Sequence, residues 1–352
     1  MIEKSELTSD DIQMSKGYAI ITMLLLHLFC LDRNRVYGSY ILSLNNGVPI
    51  LYYIGWLCAI CAPTYCICSG YAHYRQGQVN GLIFEKREKR ILKFLISYWI
   101  VVISVSIFGI ICKSDFVPKD LIHFIFNFCL LSWSYTGIWW YAFVYVLYVI
   151  FSNILFRIVN RTSSYKMFAI LILQFLLVES AQKVVVNVIS ENSIIYYFWI
   201  RIYYLLGARL LCYMGGMIIA KENVITKIKC LLDKIRYSNL VITFLLFVIA
   251  IGLCIINKGI LIVLYTFPVF IGFNLLNKRK HIKSFMENLG RLSTFIWFVH
   301  PFIYSNIFPI ITELWLKLKY SVLLFVGLLI ICIIISIPLD ITSKIIIKKV
   351  IS

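Results

Sequence analysis

NLVITFLLFVIAIGLCIIN, residues 239–257, carries no formal charge, and as a helix rising ~1.5 Å per residue it spans ~28 Å, about the hydrocarbon thickness of a bilayer. Without water to pair its peptide groups, such a segment crosses a membrane only as a helix. Working outward from it, apolar runs between charged breaks fall near 15–31, 50–72, 91–112, 138–158, 167–185, 202–220, 239–257, 260–276, 292–311 and 321–340. The 352 residues are 61% apolar and 14% charged with a mean hydropathy of +0.88, which excludes an ordinary soluble globular protein. The expected fold is all-α, a polytopic transmembrane helical bundle of about ten spans. No internal repeat, Gly/Ser linker or long polar loop divides it, so residues 1–352 read as a single integral-membrane domain. The aromatic stretch 121–135, LIHFIFNFCLLSWSY, is short and runs almost directly into the next span, so it reads as re-entrant or interfacial.

A net charge of +18 would suggest nucleic acid in a soluble chain, but in a membrane protein the cations sort by loop. With the N-terminus inside, 24 of the 34 Lys and Arg residues fall before the first span, across 75–93, 157–166, 221–236 and 278–291, and in the C-terminal tail. That asymmetry predicts a multi-pass protein of the cytoplasmic membrane with both termini cytoplasmic and no nucleic-acid partner. The N-terminal Glu3, Glu6, Asp10 and Asp11 have the wrong sign for a signal peptide, so the first run is expected to remain as a helix. Ten of the eleven cysteines lie in apolar runs, where a thiol behaves as a small hydrophobe. Cys58, Cys61, Cys66 and Cys68 lack a nearby His pair and a polar turn, and neither a disulfide framework nor a metal is expected.

Ionisable groups inside spans are costly and mark function by default. His27 lies eleven residues beyond Lys16, and eleven steps of ~100° return it to within about 20° of the same helix face, ~16 Å further along the axis. A cation at the cytoplasmic mouth below an imidazole deep in the bilayer suits a long anionic ligand; the alternative is a packed histidine with a snorkelling lysine. His300 precedes Pro301, which frees a carbonyl and loosens the span. Arg209 and Glu179 lie mid-span, lining a substrate path or pairing with each other. Arg87 and Arg90, three apart where a basic loop enters a helix, share a face suited to phosphates. Ser69-Gly70-Tyr71, Trp139-Trp140-Tyr141 and Gly290-Arg291-Leu292-Ser293 punctuate helix ends.

Taken in chain order, these pieces resemble the acyltransferase-3 family of integral-membrane acyltransferases that O-acetylate bacterial surface glycans. The resemblance rests on Lys16-Gly17 through His27, Ser69 to Tyr71, Arg87-x-x-Arg90, Trp140-Tyr141 and GRLSTFIWFVH ending at His300. The family commonly has arginine where this chain has Lys16, and a lysine neutralises phosphate without a planar two-pronged contact. The resemblance implies cytoplasmic acetyl-CoA as acyl donor, held by Lys16, Arg87 and Arg90, and a surface or lipid-linked glycan hydroxyl as acceptor. It implies chemistry at His27, as general base or as covalent acyl carrier, with His300 assisting. Trp140, Tyr141, Arg209 and Glu179 are the candidate acceptor contacts.

The rival class is a transporter or flippase of a lipid-linked glycan, since buried His, Arg and Glu also line substrate pathways; the chain lacks the matching broken helices of inverted-repeat transporters. The topology is testable by labelling. Cys230, and cysteines placed at Lys86 or Lys280, should react only with reagents that reach the cytoplasm. Labelling of any of them from outside would refute the ten-span arrangement.

Overall fold

The computed structural model describes residues 6–31, 49–80, 84–190, 193–256 and 258–351, and those residues form an all-α polytopic bundle. In chain order the helices are α1 (Ser9–Leu31), α2 (Ile50–Leu57), α3 (Cys61–Asn80), α4 (Phe84–Ile111), α5 (Leu121–Phe128), α6 (Trp140–Arg161) and α7 (Ser164–Val188). They continue with α8 (Ile194–Phe198), α9 (Leu205–Glu222), α10 (Val224–Leu232), α11 (Ser238–Ile256), α12 (Gly259–Leu275) and α13 (Lys280–Val299). The last three are α14 (Pro301–Tyr304), α15 (Pro309–Leu316) and α16 (Ser321–Val350). A 3₁₀ turn, Cys58–Ile60, joins α2 to α3, and a π-turn, Trp199–Tyr204, joins α8 to α9, so each pair forms one continuous rod.

Among the described residues, eight of these rods are long and apolar enough to cross a membrane, from Ser9–Cys30 to Ser321–Val350. The two expected spans outside this set differ for physical reasons. The run near 260–276 is the shorter helix α12. The run near 292–311 starts earlier, at Lys280, and breaks where Pro301 has no N–H to continue the ladder, leaving α13 followed by the single turn α14.

The segment 121–135 does not cross. Helix α5 is eight residues, ~12 Å, and turns back at Leu130, whose φ of 59° is left-handed. Asp120 caps it by accepting from the His123 N–H at 2.8 Å. Buried Asn127 clamps the return, its amide donating to the His123 carbonyl and the Ser134 hydroxyl, both at 2.8 Å. Tyr98 and Trp99 of α4 donate to the Asn127 and Phe128 carbonyls at 2.7 and 2.9 Å. Leu121, Ile122, Ile125 and Phe126 remain exposed on one face, as an interfacial helix requires.

The chain divides into two compact units, one of Met1–Ser15, Ala62–Arg87 and Val144–Lys280, the other of Lys16–Cys61, Glu88–Phe143 and His281–Ser352. In the first, α3 and α9 approach through glycine. A Cβ on Gly70 would overlap the Tyr213 carbonyl oxygen, and one on Gly216 would overlap that of Ile67. Helices in lipid gain nothing from excluding hydrocarbon, so backbone approach of this kind supplies the dispersion contact that holds them together. Gly252 in α11 has open space around it. Gly70→Ala and Gly216→Ala should each lower the melting temperature of the purified protein and the yield of monodisperse material, whereas Gly252→Ala should be neutral or stabilising by up to about 1 kcal/mol. Thermal unfolding followed by size-exclusion fluorescence reads the difference.

Candidate active site

The second unit pairs α1 with α13 at two levels. Near their N-terminal ends the missing side chain of Gly17 lets α1 press on the Met286 backbone, where a Cβ would overlap the carbonyl oxygen. Further along both helices, His27 Nδ1 and His300 Nε2 lie 2.7 Å apart with the rings coplanar to within 1°. The two helices therefore run parallel, and the contact at Gly17 sets the distance that the two imidazoles bridge. Thr8 and Asp11 start α1 with a reciprocal cap: the Asp11 carboxylate accepts from the Thr8 N–H at 2.8 Å, and the Thr8 hydroxyl oxygen accepts from the Asp11 N–H at 3.2 Å.

The proline next to His300 assigns the protons. In an unbroken helix the N–H of residue 301 would donate to the Trp297 carbonyl, but Pro301 has none. His300 Nδ1 fills that vacancy, 2.8 Å from the Trp297 oxygen and 3.1 Å from that of Ile296, so Nδ1 carries the proton. His300 Nε2 is then an acceptor and takes the Nδ1–H of His27. What remains is a bare lone pair on His27 Nε2. His300 is wholly buried, so this tautomer is held by packing as well as by hydrogen bonds.

Trp139 secures the same break. Its indole N–H donates to the Phe298 carbonyl at 3.2 Å, and its ring meets the rings of Tyr98, Phe298 and Phe302 edge-on. The sequence reading picked Trp140 and Tyr141 from this triplet and missed Trp139, the residue turned inward by the 3₁₀ turn Gly137–Trp139. Tyr141 packs edge-on against Trp297, and Trp140 against Tyr141.

Lys16 shares the His27 face of α1, about three turns back toward the N-terminus. Arg87 and Arg90 occupy the first two turns of α4, and Arg87 donates to the Ile150 carbonyl of α6 at 2.9 Å. Ile150 lies eleven residues, ~16 Å, from Arg161 at the basic end of α6, so Arg87 reaches deeper than a loop cation does. Glu179 and Arg209 belong to the first unit, where the charges of Arg209 and Lys183 both act on the Glu179 carboxyl. That unit also holds a buried contact absent from the sequence reading: His73, two residues after Tyr71, has its Nδ1 2.5 Å from the Tyr213 hydroxyl. Cys58, Cys61, Cys66 and Cys68 are buried thiols outside any disulfide, and among the described residues no three His, Cys, Asp or Glu groups converge as a metal site.

A family profile described as an acyltransferase domain matches residues 10–340, nearly the whole chain. The chain belongs to the acyltransferase-3 family. No curated protein and no solved structure matches it. The protein is thus a multi-pass membrane acyltransferase, and the family motifs acquire physical roles. Gly17 admits α13, Gly70 admits α9, and Tyr71 accepts from the Leu7 N–H at 3.1 Å through its hydroxyl while Arg75 stacks over its ring.

In this acyltransferase-3 protein, Pro301→Ala should restore a donor for the Trp297 carbonyl and release His300 Nδ1. A hydrogen bond of about 1 to 1.5 kcal/mol then no longer fixes the tautomer, which predicts roughly a tenfold fall in acyl transfer at unchanged abundance. Acyl product per folded molecule is the measurement.

Proposed function

We propose that the protein is an O-acetyltransferase that moves an acetyl group from cytoplasmic acetyl-CoA to a hydroxyl of a surface or lipid-linked glycan. The observation that carries the reading is the His27–His300 hydrogen bond, which leaves His27 Nε2 unprotonated and aimed by a second ring. His27 acts as general base: Nε2 takes the proton of the acceptor hydroxyl as its oxygen attacks the thioester carbon, and returns it to the leaving sulfur. His300 Nε2 keeps accepting from Nδ1–H throughout and favours the imidazolium that forms. The arrangement does the work of the orienting group in a hydrolase triad with a neutral ring in place of a carboxylate.

Lys16, Arg87 and Arg90 would neutralise the phosphates of the donor, with Lys16 acting as a point charge where the family commonly has arginine. The depth that Arg87 reaches supports this role, because a guanidinium held at the level of Ile150 is more than a positive-inside flank. Trp140 and Tyr141 offer aromatic faces to a sugar, and Glu179 and Arg209 offer polar groups at mid-span.

Acetyl content of the surface glycan, with and without the protein, tests the class of reaction. His27→Ala should abolish transfer, by 10²-fold or more, while the protein inserts at normal abundance, because an apolar replacement in the bilayer removes a polar group that must otherwise be satisfied. His300→Gln should retain more activity than His300→Ala, since an amide oxygen can still accept from His27. Arg87→Ala and Arg90→Ala should raise the acetyl-CoA concentration needed for half-maximal rate. Near-normal turnover in His27→Ala would end the reading, and donor-derived label retained on His27 in quenched protein would replace the general base with a covalent carrier.

A further inference from the structure

Between α6, α7 and α9 the first unit has a concave slot of about 480 Å³ open toward the bilayer. That volume is in the range of ligand pockets and well above that of packing defects. Phe151, Leu155, Leu173, Leu177, Ile202 and Leu206 supply apolar wall, and every residue lining the slot comes from this unit. The acyl-transfer residues His27 and His300 are not among them.

The depth of the slot follows from the rod that runs from Ile194 through the π-turn to Glu222. Near its end, Lys221 donates to the Val159 and Thr162 carbonyls at 2.9 and 2.7 Å, at the basic end of α6. Arg201 lies twenty residues earlier, ~30 Å away, and so at the opposite membrane boundary. It is 6% exposed and its guanidinium sits 4.1 Å over the Tyr197 ring. The surrounding turn is a π-helix, a costly geometry that recurs at functional sites. Trp199 donates to Gln182 at 2.6 Å and stacks on Tyr203, itself a lining residue, and exposed Lys183 follows Gln182. From Arg201 to Leu210, the last lining residue of α9, is another nine residues, ~14 Å into the hydrocarbon.

Neither cation lines the slot itself, but Arg201 adjoins the lining residue Ile202 and Lys183, on which the Glu179 carboxylate acts, follows the Trp199 partner Gln182; cations and aromatic rings at this end of an apolar slot complement an anionic head attached to a long hydrocarbon chain. We infer that this slot binds the lipid portion of a phosphate-linked glycolipid acceptor, its phosphate at Arg201 and Lys183 and its chain against α7 and α9. The inference rests on the proposed function for the nature of the acceptor, and it adds where that acceptor docks and by which part. Docking by the lipid, which is common to many glycan acceptors, tethers the sugar at the face away from the basic loops and leaves its hydroxyls free.

The test uses the full-length protein in phosphatidylcholine nanodiscs and a photoreactive polyprenyl diphosphate as probe, with labelled peptides mapped by mass spectrometry. Label is expected on peptides spanning 170–178 and 202–210, with unlabelled polyprenyl diphosphate competing and phosphatidylglycerol not. Leu177→Trp fills the slot from a lipid-exposed position and Arg201→Gln removes the buried charge; each should reduce labelling at least tenfold, and Leu177→Trp reports even if the arginine variant does not fold. Equal competition by phosphatidylglycerol would make the slot a resident phospholipid site and overturn the inference, as would label elsewhere or unchanged labelling in Leu177→Trp. Acetyl transfer measured on the same samples separates the two ideas: transfer without slot labelling defeats only the slot, and slot labelling without transfer defeats only the proposed reaction.

Discussion

The contact between the His27 and His300 imidazoles depends on how closely α1 can approach α13. At Gly17 the approach is limited by backbone atoms, since any side chain would collide with the Met286 carbonyl. A hydrogen bond between two imidazoles tolerates only a few tenths of an ångström before it weakens, and here the two rings stand on different helices. In a bilayer, lipid tails compete with side chains for every apolar contact, so close backbone packing is what gives a helix pair a defined separation. A glycine more than two turns from the histidines therefore sets their geometry.

The second requirement is that a polar cluster inside an apolar medium satisfy its own hydrogen bonds. His300 and Pro301 meet it together. Proline removes a donor from the helix ladder and so exposes a carbonyl, and histidine, one residue earlier, supplies the replacement with the nitrogen that does not face His27. Trp139 donates to the next carbonyl and surrounds the break with aromatic edges. The irregularity is the means by which one ring is held in a single tautomer. His27, whose other nitrogen is then directed, has its protonation pattern set by a residue 273 positions away.

The two units divide the polar groups of the spans. Lys16, His27 and His300 belong to one, with Trp139, Trp140 and Tyr141, while Glu179, Arg201 and Arg209 belong to the other beside an apolar slot. One unit carries paired donors and acceptors suited to moving a proton, and the other carries cations and aromatic rings suited to holding a charged amphiphile.

Residue chemistry alone settled that the chain is helical and crosses the membrane many times, because an uncharged run like 239–257 has no other way to pair its peptide groups. It also made His27, His300 and the Lys16 face conspicuous, since polar groups in apolar runs stand out without any fold. Tertiary structure decided the rest. That 121–135 turns back instead of crossing depends on Asn127 and on donors from α4, which no local pattern carries. That the late span breaks at His300 was foreshadowed by Pro301, but which carbonyl is rescued, and by which nitrogen, required the placed ring. Trp139 could not be distinguished from Trp140 by composition, because the turn between them determines which ring faces inward. The slot beside Arg201 was invisible for the same reason: its residues come from three helices, and a concave surface exists only once those helices are packed.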